Sequence, residues 1–207
     1  MLKVENYTAG YAVNQFLFKD VSFKLETGQI IGVTGLNGSG KSTFIKGLLN
    51  FVSFKKGKVF LDGDDITNWN PTKIFSKKSI AYLSQRERVF KHLTVDEHLK
   101  LYHAYSKKNE QNGVESQLYD FLRPHKDALA SNLSGGEQLI LALLCISILN
   151  PDFVFLDEPS DSLDVNYKEI LLHILSSWKS EKGLLVVEQN TDLLNIYADN
   201  NIIIERL

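Results

Sequence analysis

The sequence predicts an α/β fold: a parallel β-sheet covered by helices on both faces, interrupted by a helical insert. Three observations predict it. Near-continuous apolar strands alternate with helical patterns, as in parallel sheets buried on two sides. A glycine-rich loop stands between the strand Gln29–Thr34 and the helix Thr43–Leu49. From about Arg86 to Asn150 no strand pattern occurs. In chain order, Phe16–Phe18 and Val21–Leu25 read as strand pieces, and Lys58–Leu61 as a strand entering the turn Asp62-Gly63. Ile80–Leu83 is a short apolar strand. Thr94-Val95-Asp96-Glu97 is a capping-box pattern opening a helix to about Tyr105. Ser106–Gly113 is a polar linker, and Val114–Leu122 a second helix ended by Arg123-Pro124. Leu139–Leu149 is almost wholly apolar, the pattern of a fully buried helix. Phe153–Leu156, Leu184–Val187 and Ile202–Ile204 read as strands of buried type, with a helix over Val165–Lys179.

The chain has 207 residues, 43% hydrophobic and 23% charged, which allows one domain with an insert and a substantial core. A net charge of −2 gives no electrostatic reason to expect nucleic acid as the main partner. Lone Cys145 sits in an apolar run and reads as a buried small hydrophobe, in keeping with a reducing compartment. Met1–Asn6 carries charges where a signal peptide needs an apolar stretch, and the longest apolar run is well short of the roughly 20 residues of a membrane span. We therefore expect no direct membrane span, with any membrane role requiring a partner. The five histidines show no metal-ligand spacing, and Lys55-Lys56 and Lys77-Lys78 read as charge pairs on solvated turns.

Three constellations carry chemistry. Gly35-Leu36-Asn37-Gly38-Ser39-Gly40-Lys41-Ser42-Thr43 fits G-x-x-x-x-G-K-[ST], the phosphate-cradling P-loop. Glycines at 35, 38 and 40 let consecutive N–H groups turn toward one anion, and the following helix adds its positive end. Lys41 would then reach the β- and γ-phosphates of a nucleotide, and Ser42 would place its hydroxyl on Mg²⁺. Phe153–Leu156 delivers Asp157 and Glu158 at the C-terminal end of a strand, where ligands of open α/β sheets bind. Alone, Asp-Glu-Pro is a solvated acidic turn. Beside a P-loop, Asp157 is placed to hold Mg²⁺ and Glu158 to polarise a water aimed at the γ-phosphate. Leu133-Ser134-Gly135-Gly136-Glu137-Gln138 reads first as a helix start with Ser134 as N-cap, and its two glycines bare backbone N–H groups to a second anion.

In their order these motifs resemble the ATP-binding subunits of ABC transporters. The P-loop is followed by a glutamine loop at Gln85, the signature Leu133–Gln138, Asp157-Glu158, and an Asp-loop at Ser162-Leu163-Asp164. The resemblance implies a P-loop NTPase (RecA-like) core over 1–85 and 151–207, with an N-terminal antiparallel β subdomain and a helical subdomain over 86–150. It implies ATP and Mg²⁺ as cofactors, with ATP held by Gly35, Asn37, Gly38, Ser39, Gly40, Lys41, Ser42 and Thr43 and by Tyr11 stacked on adenine. Ser42, Asp157 and Gln85 would serve the metal, and Glu158, Gln85 and Gln189 the hydrolysis. It also implies a second ABC ATPase subunit, identical or not, docked head to tail. That copy would supply Ser134, Gly135, Gly136 and Asp164 to the opposite site. An integral membrane permease would seat a coupling helix near Val89 and Phe90, which placed as core residues of the insert read equally well. The expected location is cytoplasmic, peripheral at the inner face of the cell membrane.

The chain also departs from the family. Gln189 stands where His is usual, which bears on hydrolysis rather than on nucleotide binding. Glu188-Gln189-Asn190 is similar to the ATPases of branched-chain amino-acid importers, as is Arg88–Val95. Ile140 and Cys145 replace arginines usual after the signature. Two other readings stay open: a soluble ABC-type ATPase of an assembly machine, and a weakly hydrolysing, nucleotide-gated dimerisation module.

Overall fold

The structure is a computed structural model that describes residues 1–12, 15–77, 79–106 and 113–205, without the side chains of residues 11, 12 and 15. Two sheets organise it. Antiparallel strands β1 (Leu2–Ala12), β2 (Gln15–Leu25), β4 (Phe54–Leu61) and β5 (Asp64–Asp65) lie in the order β2-β1-β4-β5. Parallel strands β3 (Ile30–Thr34), β6 (Ile80–Leu83), β7 (Phe153–Asp157), β8 (Gly183–Val187) and β9 (Asn200–Ile203) lie in the order β6-β7-β8-β3-β9. The expected parallel core, antiparallel N-terminal sheet and helical insert are all present.

Alternation along β7 explains why its sequence is apolar throughout. Val154 and Leu156 face one core with Leu184, Val186 and the helices α3 (Val95–Tyr105), α4 (Gly113–Leu122), α5 (Gly135–Leu149), α6 (Val165–Lys179) and α7 (Thr191–Tyr197). Phe153 and Phe155 face the opposite core with Ile31, Val33, the helix α1 (Lys41–Leu48) and the antiparallel sheet. Each side chain is fully buried, on one face or the other. The Thr94 capping box forms in full, as its sequence predicts. Helix α5 is buried from Leu139 to Ile148 and ends on Asn150 in the left-handed conformation, just before Pro151. Cys145 is buried within it.

Several elements differ from the sequence reading. The two N-terminal strand pieces are one strand, β2, bent at Asp20 (φ 56°), and its partner β1 is interrupted at Asn6 (φ 47°). These irregularities shift the register of the β1–β2 pair and break the alternation that would have marked β1. The strand at the chain's end, β9, is an edge strand with Asn200, Asn201 and Ile203 exposed, and only Ile204 beyond it is buried. Lys55 and Lys56 lie within β4 and not on a turn, because Gly57 (φ 87°) carries the strand past them. Short helices at α2 (Pro71–Ser76) and α7 are too brief to show a helical period. Arg123-Pro124 continues α4 as a 3-10 turn. Most of the expected 106–113 linker, like Lys78, lies outside the described residues.

Candidate active site

The loop from Gly35 to Gly40 joins β3 to α1 at the C-terminal end of the parallel sheet. Gly40 holds φ 104° at the helix N-cap, and a Cβ there would lie 2.8 Å from the Leu17 side chain, so only glycine fits. Gly35 and Gly38 are also left-handed, at φ 155° and 76°. Lys41, 5% exposed, bends back over the loop and donates to the carbonyls of Gly35 (3.0 Å) and Leu36 (3.3 Å). Ser39 Oγ is buried beside it with no partner. The first-turn N–H groups of α1 have no intrahelical acceptor. A buried ammonium, an orphaned hydroxyl and a helix N-terminus in one loop fit the oxygens of a phosphate. Asn37 is exposed at the loop's rim, while Thr43 is buried in α1.

Opposite the loop, Asp157 at the end of β7 and Glu158 just beyond it are held differently. Asp157 is buried and accepts from Ser42 Oγ on Oδ1 (3.0 Å) and from Tyr82 Oη on Oδ2 (3.3 Å). Burial raises its pKa, against the lowering effect of those two hydroxyls. Burial and the neighbouring Asp157 together raise the Tyr82 phenol well above its ordinary value. A hydroxyl and a carboxylate already paired are hard oxygen donors, the set that Mg²⁺ prefers. Glu158 turns the other way. Gln85 Nε2 donates to its Oε2 (2.6 Å), Gln189 Nε2 lies 2.9 Å from both carboxylate oxygens, and Lys41 Nζ stands 3.8 Å from Oε1. The structure therefore gathers Lys41, Ser42, Gln85, Asp157, Glu158 and Gln189 from four places in the sequence. Gln85 reaches Glu158 and not the Ser42–Asp157 pair.

Ser134, Gly135 and Gly136 open α5 away from these residues, and Gly136 and Asp164 both meet Tyr167. Ser134 caps α5 through Glu137 N (3.3 Å), and Glu137 Oε2 accepts from Ser134 N (2.7 Å), which lowers the Glu137 pKa. Gly136 is glycine for packing: a Cβ there would meet the Tyr167 ring at 2.4 Å. Gly135 faces open space, with nothing within 4 Å of a built Cβ. Asp164 caps α6, its Oδ1 accepting from Tyr167 N at 3.1 Å. Tyr11 belongs to β1, and its side chain lies outside the described residues.

Val89 packs partly against the insert core, whereas Phe90 is 55% exposed. Both line an open groove of about 830 Å³ with Tyr82, Leu93, Leu101 and Tyr102. Buried His98 fixes this edge: its Nε2 accepts from Phe90 N (3.0 Å) while Nδ1 lies 2.7 Å from Thr94 O. Sequence reasoning missed Tyr82, Arg88, Ser160 and Glu188. Arg88 Nη2 donates to Glu158 O (3.2 Å), and Glu188 accepts from Ser160 N and Oγ. Arg88 and Glu188 stand in stretches noted above, but without the roles seen here. Their roles arise from strand adjacency, as where Tyr82 lies in register with Phe155 across β6 and β7.

The family model described as ABC transporter matches residues 18–161. A probable branched-chain amino acid transport ATP-binding protein, LivF of Archaeoglobus fulgidus, is 34% identical over 205 residues, covering 97% of this chain and 86% of that protein. A probable ABC transporter ATP-binding/permease protein of Haemophilus influenzae is 28% identical over 94% of this chain, which spans only 36% of that longer protein. A solved ATP-binding subunit of an ABC transporter superposes with TM-score 0.84 over 99% of this chain and 86% of its own, at 24% identity, and so shares the fold.

Proposed function

The chain belongs to the ABC transporter family as an ATP-binding, ATP-hydrolysing subunit, and from that premise we propose that it drives translocation through a separate membrane partner by closing head to tail on a second ATPase subunit. The observation that carries this reading is the convergence of Lys41, Gln85 and Gln189 on the Glu158 carboxylate, beside a Ser42–Asp157 pair.

In this reading the P-loop takes the nucleotide's phosphates, and Tyr11 stacks on the adenine. Lys41 exchanges the carbonyls of Gly35 and Leu36 for phosphate oxygens, and Ser42 and Asp157 serve the metal, while Gln85 stays on Glu158. Mg²⁺ held there by Ser42 and Asp157 would supply positive charge to offset that of the phosphates. Glu158 accepts the proton of the attacking water, a role worth roughly 10²–10⁴-fold in rate. Gln85 and Gln189 hold its carboxylate by neutral donors, so they orient it without adding a proton-transfer group of their own. Across the dimer, Ser134, Gly135 and Gly136 of one copy face the γ-phosphate held by the other, with Asp164 close by. Residues 86–150 act as a helical subdomain against a core of 1–85 and 151–207. Its groove at Val89 and Phe90 receives the permease, which places the chain on the cytoplasmic side of the membrane. Among the described residues no helix is long and apolar enough to cross a membrane. The cargo class suggested by the relative's name is branched-chain amino acids.

A weakly hydrolysing dimerisation module is the second reading, and Gln189 favours it, because an uncharged amide replaces a residue that can carry a proton. Two measurements separate these readings. ATP turnover in the native protein well above that of Glu158→Gln supports the motor, and equal, negligible turnover overturns it. Affinity purification from detergent-solubilised membranes should return a multi-span protein in stoichiometric yield. Recovery of only a soluble assembly complex would overturn the transport role.

A further inference from the structure

The turn after β7 holds a backbone conformation that its residues disfavour. Glu158 sits at φ 51°, in the left-handed region, where the Cβ of an L-residue crowds the following carbonyl. Such strain persists only where the surroundings over-determine it. Here the restraints can be named. Glu158 N donates to Val187 O (2.9 Å), and Asp161 N donates to Glu158 O (3.2 Å). Arg88 Nη2 reaches the same carbonyl at 3.2 Å. Two residues beyond Glu158, Ser160 gives both of its donors to Glu188: N to Oε1 at 3.0 Å and Oγ to Oε2 at 2.8 Å. Glu188 is 2% exposed, and its own N–H donates to Val33 O on β3, the strand that feeds the P-loop.

Packing alone does not account for a carboxylate in this position. Burying it is costly, and an apolar side chain would fill the space without that cost. Nor does an ion pair account for it, since the Arg88 guanidinium acts on Glu188 and Asp161 through space while its hydrogen bond goes to the Glu158 backbone. What the carboxylate supplies is a pair of acceptors matched to the N–H and O–H of one serine, on a turn whose position sets the direction of Glu158.

We propose that Glu188 and Arg88 are positioning residues that clasp the turn Glu158–Asp161, Glu188 from the end of β8 and Arg88 from the segment after β6. Together they hold the Glu158 carboxylate in the left-handed turn that aims it at Gln85 and Gln189. This rests on the reading of Glu158 as the base. Because Arg88 precedes Val89 and Phe90, the clasp also joins the groove to the catalytic turn through one residue.

The test is a double-mutant cycle on ATP hydrolysis under single-turnover conditions, with ATP affinity measured separately by calorimetry. Glu188→Ala is expected to lower the hydrolysis rate by roughly 10- to 100-fold, the scale of a misaimed catalytic group, with ATP affinity unchanged. Glu188→Gln is expected to recover most of that loss, since its amide oxygen accepts from Ser160 N while its NH₂ donates to Ser160 Oγ. In a Glu158→Gln background, Glu188→Ala should cost nothing further, because the group it aims is already disabled. A Glu188→Ala protein with native turnover overturns the proposal, as does a loss of equal size in the Glu158→Gln background. Native turnover in Glu158→Gln alone overturns the base assignment, and the proposal with it. For a Glu188→Ala protein that fails to fold, the same cycle is run with Ser160→Ala, with a smaller loss in the native background and none in the Glu158→Gln background.

Discussion

The N-terminus of α1 is enclosed, with a buried lysine bent over three left-handed glycines and the carboxylates of Asp157 and Glu158 close by. The N-terminus of α5 is bare, with its cap already closed by Ser134 and Glu137 and with open space at Gly135. Both helices direct a positive end outward, yet they differ in what else stands there. The first brings cation, metal-type donors and a base to one point. The second brings a dipole, one hydroxyl and the carboxylate of Glu137, with no buried cation beside them among the described residues. One terminus gathers its own charged partners, and on the proposed function the other meets its anion only across a dimer.

Mutations can break this contrast in order of size. Lys41→Ala should abolish ATP binding in calorimetry, and retained micromolar affinity would mean that α1 is not the phosphate site. Glu158→Gln should lower turnover by roughly 10²–10⁴-fold while leaving ATP binding intact. At α5 the two adjacent glycines should part company. Gly136→Ala drives a methyl into Tyr167 and should cost about 1–3 kcal/mol in denaturant unfolding. Gly135→Ala should leave stability within about 0.5 kcal/mol and instead lower ATP-dependent dimerisation in analytical ultracentrifugation. Equal behaviour of the two would erase the distinction drawn here.

The smallest effects concern pH. Burial raises the pKa of Asp157 and pushes Glu188 up to about 7. For both, the folded state keeps a proton that the unfolded chain releases at ordinary carboxylate values. Stability is thus greatest below those values and falls as pH rises toward the folded ones, for Glu188 between about 4.5 and 7. Asp157→Asn should therefore raise the nucleotide-free Tm at pH 8, and Glu188→Gln should flatten the fall in Tm between pH 5 and 8. A native-like slope in Glu188→Gln would assign the titration to another group.

The sequence made the enclosed terminus legible and the bare one only partly so. The P-loop spacing, the apolar strand before Asp157 and the capping boxes are local chemistry, and they appear where local chemistry acts. Gly135 and Gly136 look alike in sequence, because their difference lies in Tyr167, 31 positions beyond Gly136. Glu188 was legible only as one letter of Glu188-Gln189-Asn190, since its partner Ser160 lies on another strand's turn. The edge position of β9 was hidden for a similar reason. Ile202–Ile204 is apolar enough for a central strand, and only strand order exposes Ile203.

Helix α5, buried from Leu139 to Ile148, also has a geometric consequence. Its 15 residues form a rod about 22 Å long. One end lies at the left-handed Asn150 and the other carries Ser134. A turn of roughly 10° about Asn150 would sweep Ser134 through about 4 Å, more than the length of a hydrogen bond. On the proposed function, a small adjustment where the insert meets the sheet would thus be enlarged at the cap.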